Sequence, residues 1–384
     1  MKILVWCSAV SIGGGGRLLA NLLPAMAELE EVARIHLVIH SMSQLKERMA
    51  LSPQSKLTIS YSDNQEVVPL QHLAEAFDLV YCFWPHGMVY EPAGKPMICT
   101  FHDTTVFDFV PPFLSGAILK HAWAQAKDWL ENCSAVVVPS RYIKSRLIAN
   151  FGKKHENAAV ISHAISPATV FTAETLSPGV AKKLPPEYIL YPSNTAPHKN
   201  HYNLLLAYAK FARRKQYPLV LCGYQTEDLT LEPPDWPDKI YLPVLVSLIK
   251  RSGLQLGADL VPLGYVSDND VNLLIRNAKA LIMPSLAEGG GSYPVEEALS
   301  MGTPVLCSDI PVMREHLAAR SAKIVWFDPE SPVLIAAALE EMLLNYHTYK
   351  NSVMLGSNDA RPCWRDIAEQ YVQVFRSILL PNRQ

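Results

Sequence analysis

Short apolar runs, each followed by a loop and then by an amphipathic stretch, recur along nearly the whole chain, and they do so in two series. The first series has candidate strands at residues 3–7, 36–39, 79–83, 97–101, 135–138 and 159–161, with helical periodicity over 17–29, 117–131 and 141–151. The second has strands at 188–191, 219–222, 260–263, 280–283, 304–307 and 322–326, with helices at 201–214, 271–278, 293–301 and 332–345. Runs that are apolar throughout are buried on both faces, and their alternation with helices predicts parallel, doubly wound sheets. Between the series, residues 166–187 carry Pro167, Pro178, Pro185 and Pro186 and form the candidate linker. A chain of 384 residues also exceeds what one compact core accommodates. The expectation is therefore an α/β protein of two domains, 1–167 and 187–364, facing across a cleft with ligands beyond the carboxyl ends of the strands. A final amphipathic segment, 365–380, places Ile367, Tyr371, Val374, Phe375 and Ile378 on one face.

Composition narrows the function classes. Hydrophobic residues make up 49% and charged residues 18%, with a net charge of −2, which excludes a disordered chain and any general attraction to nucleic acid or acidic lipid. Seven scattered cysteines without a C-x-x-C pair indicate neither a zinc site nor a disulfide framework, and fit a reducing cytoplasm. The opening apolar run meets a glycine loop and Arg17, so it reads as a first strand and not as a signal peptide. No apolar stretch approaches the ~18 residues of a spanning helix, so membrane contact is expected to be peripheral at most. Two segments bear on that contact. Lys144, Arg146, Lys153 and Lys154 form a basic cluster, and 241–250 is apolar enough for an interfacial element; the other reading is a solvated helix face and a core helix.

The chemistry concentrates in 283–299. Three glycines, Gly289, Gly290 and Gly291, precede Ser292 and a helix that opens near Pro294, a residue tolerated where a first-turn N–H has no partner. Glycines let backbone amides approach a ligand, and the helix N-terminus attracts negative charge, so a diphosphate suits this environment. Carboxylates repel phosphate, so Glu288 at one end and Glu296 or Glu297 at the other are suited to accepting hydrogen bonds from sugar and ribose hydroxyls. A glycine-rich turn capped by a glutamate is the alternative. Upstream, Lys199 follows a strand and precedes a helix, where it can neutralise a diphosphate leaving group or simply be solvated. His102 and Asp103 end a strand of the first series; the histidine can orient a sugar or acceptor, or be satisfied by a loop carbonyl. The loop 13–16, including Gly14 and Gly15 and followed by Arg17, also suits a dinucleotide-binding fold, but the G-x-G-x-x-G spacing is not cleanly met.

Taken in order, these segments resemble the retaining glycosyltransferases of family 4, which have the GT-B fold of two Rossmann-like domains. Pro284-Ser285, Glu288-Gly289, Pro294, Glu297-Ala298 and Gly302-Thr303-Pro304-Val305 carry the resemblance, with weaker echoes at Pro139-Ser140, 163–165, 264–267 and 310–316. The resemblance implies that Glu288 contacts the transferred sugar, that Lys199 binds the donor phosphates, and that His102 lies near the sugar. Asp103 positions the acceptor or braces its loop, and Arg17 meets a phosphate. Asn194 stands where the family often has an arginine, leaving more of the load to Lys199. A literal count between the family's two glutamates pairs Glu288 with Glu296, whereas alignment on Pro294 and Ala298 pairs it with Glu297, the assignment adopted here for the ribose. The last helix is expected to return to the first domain.

The implied activity is metal-independent transfer, with retention, of a sugar from a nucleotide-diphosphate donor to a glycan, lipid-linked or small-molecule hydroxyl. No Asp-x-Asp metal motif occurs, and no cofactor is expected, the nucleotide sugar being a substrate. The Pro197-His198-Lys199-Asn200 run resembles bacterial mannosyl- and rhamnosyltransferases, which tilts the donor toward GDP-mannose, with UDP-sugars next. Alternatives are an epimerase or phosphorylase of the same fold, an NAD-dependent oxidoreductase and a non-catalytic sugar-binding homologue.

Overall fold

A computed structural model describes residues 1–7, 14–39, 55–61, 69–109, 115–163, 174–230, 241–357 and 359–380. The chain divides into two compact units, 1–164 with 361–384, and 165–360. Each is built on a parallel sheet.

The first unit holds strands β1 Lys2–Cys7, β2 Arg34–Ile39, β3 Leu57–Tyr61, β4 Leu79–Cys82, β5 Met97–Thr100, β6 Ala135–Val138 and β7 Ala159–Val160, in the order β3-β2-β1-β4-β5-β6-β7. Ile3, Leu4, Val5 and all of β4 and β5 are buried, as apolar runs covered on both faces require. Val5 sits opposite Leu37 on one side and Tyr81 on the other, so the order reverses at β1. The carboxyl ends of β1 and β4 therefore flank the point where doubly wound sheets bind ligands. The helix Trp364–Leu379 packs against Gly14–Ala27 and inserts Tyr371 and Phe375 beside Tyr81, with ring centroids 5.6 and 5.2 Å away. Thr100 Oγ1 lies 2.7 Å from the Tyr81 hydroxyl and 3.2 Å from that of Tyr371, which gives these buried groups partners.

The second unit holds β8 Ile189–Pro192, β9 Leu219–Cys222, β10 Leu260–Gly264, β11 Ala280–Met283, β12 Val305–Ser308 and β13 Val325–Phe327, in the order β10-β9-β8-β11-β12-β13. Reversal falls between β8 and β11, where Leu190 sits opposite Leu281. Residues 166–173 of the expected linker lie outside the described residues, as does Gly13. The remainder is part of the second unit: Ser177 N donates to Asp270 Oδ1 at 2.8 Å and Val180 is buried. Helix Leu242–Ser252 buries Leu242, Leu245, Val246, Leu248 and Ile249 and packs on His201–Lys210. Of the two readings of the apolar stretch 241–250, the core helix is the one the structure has.

Strand β3 was not expected. Its sequence, Leu57-Thr58-Ile59-Ser60-Tyr61, is half polar because His36 on β2 reaches across to Thr58 Oγ1 at 2.8 Å and Ser60 Oγ at 2.9 Å. An edge strand needs no continuous apolar run.

Candidate functional site

In the second unit, the loops leaving β8 and β11 are tied together by backbone and side chain. At the end of β8 the Tyr191 hydroxyl donates to the Lys199 carbonyl at 2.6 Å, and Leu286 N donates to the His198 carbonyl at 2.8 Å. Asn200 follows the 3-10 turn Pro197–Lys199 with φ of 63°, a left-handed conformation that asparagine tolerates better than most residues. Its buried amide donates to the Pro284 and Pro329 carbonyls at 2.8 and 2.7 Å, which fixes where the turn ends and the helix His201–Lys210 begins. Lys199 is thereby aimed at Glu288, with Nζ 2.6 Å from Oε1 and the side chains 19% and 11% exposed. Asn194 accepts from Ala196 N at 3.1 Å, a local turn brace. Gly223, at φ 136°, has no room for a Cβ, which would fall 2.5 Å from the Ser193 carbonyl oxygen. That contact seats the β8 loop against the end of β9.

Gly289 and Gly290 are half-buried, and Gly291 takes φ 125° before the helix Tyr293–Ser300. Ser292 occupies the N-cap, yet its hydroxyl caps no backbone amide; it is 5% exposed and lacks a hydrogen-bond partner among the described residues. A buried hydroxyl left unmatched at the start of a helix is a fitting ligand for an anion. The two glutamates of the first turns part company. Glu296, 1% exposed, accepts from Arg320 Nε at 2.9 and 3.1 Å and lies 3.4 Å from His316 Nε2. Glu297, fully buried, is one residue further round the helix. Burial holds His316 below its usual range, partly offset by Glu296.

In the first unit, His102 is 3% exposed. Its Nε2 donates to the Phe83 carbonyl at 2.7 Å, which fixes the tautomer and leaves Nδ1 as an acceptor. Burial, with His163 and His86 nearby, keeps the ring well below its ordinary pKa and therefore neutral. Trp84 stacks on it, centroids 4.5 Å apart and planes 20° from parallel, while a Cβ on Gly15 would come within 3.1 Å of the same indole. Gly15 thus permits the start of the helix Gly14–Ala27 to lie against Trp84, so Gly14 to Gly16, expected in a loop, are helical. Gly14 is exposed, and Arg17 is half-buried on the helix Gly14–Ala27. Asp103 Oδ1 accepts from Thr105 N at 2.9 Å, so it braces its own loop.

The basic cluster is partly neutralised: Arg146 Nε is 2.5 Å from Asp108 and Lys154 Nζ is 2.8 Å from Glu131. These pairs fit the reading of the cluster as a solvated helix face. Among the described residues, no helix is long and apolar enough to cross a membrane, and no group of three or more His, Cys, Asp or Glu side chains is placed to hold a metal. Trp84, Gly223 and Arg320 were not anticipated from sequence, nor were the contacts of Asn200 and His316, which the sequence marks only as parts of the 197–200 and 310–316 segments. Their partners are 18 to 129 residues away, as with Trp84 and His102 or Asn200 and Pro329.

Two parallel, doubly wound units, one carrying a Lys–Glu pair and a glycine loop at its strand ends, are what the resemblance to GT-B glycosyltransferases implies. Known proteins agree. Residues 12–169 match the family described as Glycosyltransferase Family 4, and 173–358 match that described as Glycosyl transferases group 1. O-antigen chain mannosyltransferase B of Escherichia coli is 28% identical over 285 residues, 73% of this chain and 70% of that protein. O-antigen chain mannosyltransferase RfbU of Salmonella typhimurium is 26% identical over 251 residues, 62% of this chain and 63% of that protein. The crystal structure of Anabaena Alr3699/HepE in complex with UDP and glucose shares the fold, with a TM-score of 0.72 at 17% identity over 98% of this chain and 100% of the other. The chain belongs to the family 4 type of GT-B glycosyltransferases and is mannosyltransferase-like.

Proposed function

We propose that the chain transfers a hexose, with retention and without a metal, from a nucleotide-diphosphate sugar to a hydroxyl of a glycan or lipid-linked acceptor. GDP-mannose is the first donor in this reading, and UDP-sugars are the second. The observation that carries it is the Lys199–Glu288 pair beside the 289–291 glycine loop and the unmatched Ser292 hydroxyl. In the proposed complex, Lys199, Ser292 and the backbone amides of Gly289, Gly290 and Gly291 meet the diphosphate. Glu288 accepts from the sugar and Glu297 from the ribose, the choice given by alignment on Pro294 and Ala298. The leaving group develops charge as the glycosidic bond breaks. A cation and oriented amides stabilise that charge more in the transition state than in the ground state, which is what lowers the barrier.

Both named relatives are O-antigen mannosyltransferases, and the Anabaena protein binds UDP and glucose; these support a nucleotide-sugar donor here. In the first unit, neutral His102 offers Nδ1 to a sugar hydroxyl, and Gly14, Gly15 and Arg17, at the start of the helix Gly14–Ala27, meet the ligand. Labelled donor incubated with candidate acceptors tests the proposal by product analysis. A glycoside with the donor's anomeric configuration is expected; free epimer or a sugar phosphate would instead assign epimerase or phosphorylase chemistry.

A further inference from the structure

We propose that His316 and Arg320 are positioning residues for the glycine loop 289–291, acting through Glu296. The inference rests on the reading of that loop as a nucleotide-sugar site. Arg320 Nε reaches both oxygens of Glu296, at 2.9 and 3.1 Å, and its Nη1 donates to the Ala360 carbonyl at 3.0 Å. Glu296 stands in the first turn of the helix that the loop enters, so this grip fixes the turn. The His316 ring, on the helix Pro311–Leu317, fills the space between that grip and the loop. One edge places Nε2 3.4 Å from Glu296 Oε1; at the other, a Cβ built on Gly291 would fall 2.3 Å from Nδ1. The imidazole is therefore a packed floor beneath Gly291.

A run of three glycines has more backbone freedom than any other tripeptide, and ordering it around a diphosphate costs affinity. A floor and an anchored first turn remove part of that cost before the ligand arrives. The pair itself adds little net stability, because a buried ion pair typically does no better than apolar side chains of the same volume. Its contribution is orientation.

The difference between positioning and mere stabilisation is measurable. In the double variant Glu296→Leu/Arg320→Met, apolar side chains replace the pair, and Tm should stay within about 3 °C of the unmodified chain. The Kd for GDP or UDP, by calorimetry, should nonetheless rise about tenfold, and donor KM should rise more than kcat falls. An unchanged Kd and KM, whatever the Tm, would overturn the proposal. His316→Ala removes the ring from beneath Gly291 and leaves the ion pair intact. It carries the same expectation and the same contradiction if the double variant fails to fold. Should the unmodified chain bind neither nucleotide nor nucleotide sugar, the donor-site reading falls, and this proposal with it.

Discussion

Lys199 Nζ stands 2.6 Å from Glu288 Oε1, so the cation assigned to the diphosphate and the carboxylate assigned to the transferred sugar pair with each other. A diphosphate sugar must divide this pair, drawing Lys199 to phosphate and leaving Glu288 for hydroxyls. Lys199→Ala should therefore lower kcat/KM for the donor by about 10²–10³-fold, the range seen when one transition-state charge donor is removed. Steady-state kinetics checks it, and Lys199→Arg should restore part of the loss. An alanine variant as active as the parent would remove Lys199 from the mechanism.

Glu297, fully buried next to the engaged Glu296, is assigned to the ribose. The unmodified chain should then bind 2′- or 3′-deoxynucleotides more weakly than the ribonucleotides, and Glu297→Gln should narrow that gap. Calorimetric titration of each pair would show a coupling of about 1–2 kcal/mol if carboxylate and hydroxyl meet. Equal discrimination by both proteins would mean that the ribose is read elsewhere.

In the proposed mechanism, Lys199, Ser292 and the loop amides stabilise the leaving charge, and no step calls for a divalent ion. Activity should survive EDTA within a factor of about two, given that a Lewis acid otherwise supplies several kcal/mol. Loss on chelation with recovery on added manganese would contradict the mechanism.

Acid should destabilise the fold through its buried histidines. His201 is fully buried, neither ring nitrogen has a partner among the described residues, and burial lowers its pKa from 6.5 to about 3. The folded chain keeps this ring neutral at pH values where the unfolded chain protonates it. Stability is full above about pH 6.5 and declines as pH falls from there toward 3, by up to about 1.4 kcal/mol per pH unit for each such histidine. His102 and His86, held low mainly by burial, add to the same slope. Melting curves between pH 7.5 and 5 should be less steep for His201→Leu; an identical slope would place the acid sensitivity in other groups.

What the sequence reveals here follows the range of the interactions. Apolar runs such as 79–82 and 280–283 mark strands because burial on both faces leaves a local pattern. The loop 288–292 is legible for a similar reason, since glycines beside a helix start are contiguous. Strand β3 is hidden because His36 pairs with its Thr58 and Ser60, replacing apolar residues with polar ones. The commitments of individual side chains are hidden as well. Asn200 is explained only by carbonyls 84 and 129 residues away, and the hold of Arg320 on Glu296 spans a helix that periodicity does not connect to it. That His102 gives Nε2 to Phe83 depends on a neighbouring strand's loop, which no tetrapeptide around the histidine discloses.

The central claim, a nucleotide-sugar site built on Lys199, Glu288 and the 289–291 loop, is tested most directly by thermal shift across a ligand panel. GDP, UDP and their sugar conjugates should be compared with NAD. The account predicts that Tm rises with at least one nucleoside diphosphate or its sugar, by several degrees at a hundredfold excess over Kd, that NAD has no effect, and that Lys199→Ala abolishes the shift. A rise with NAD and with none of the nucleotide sugars would contradict it.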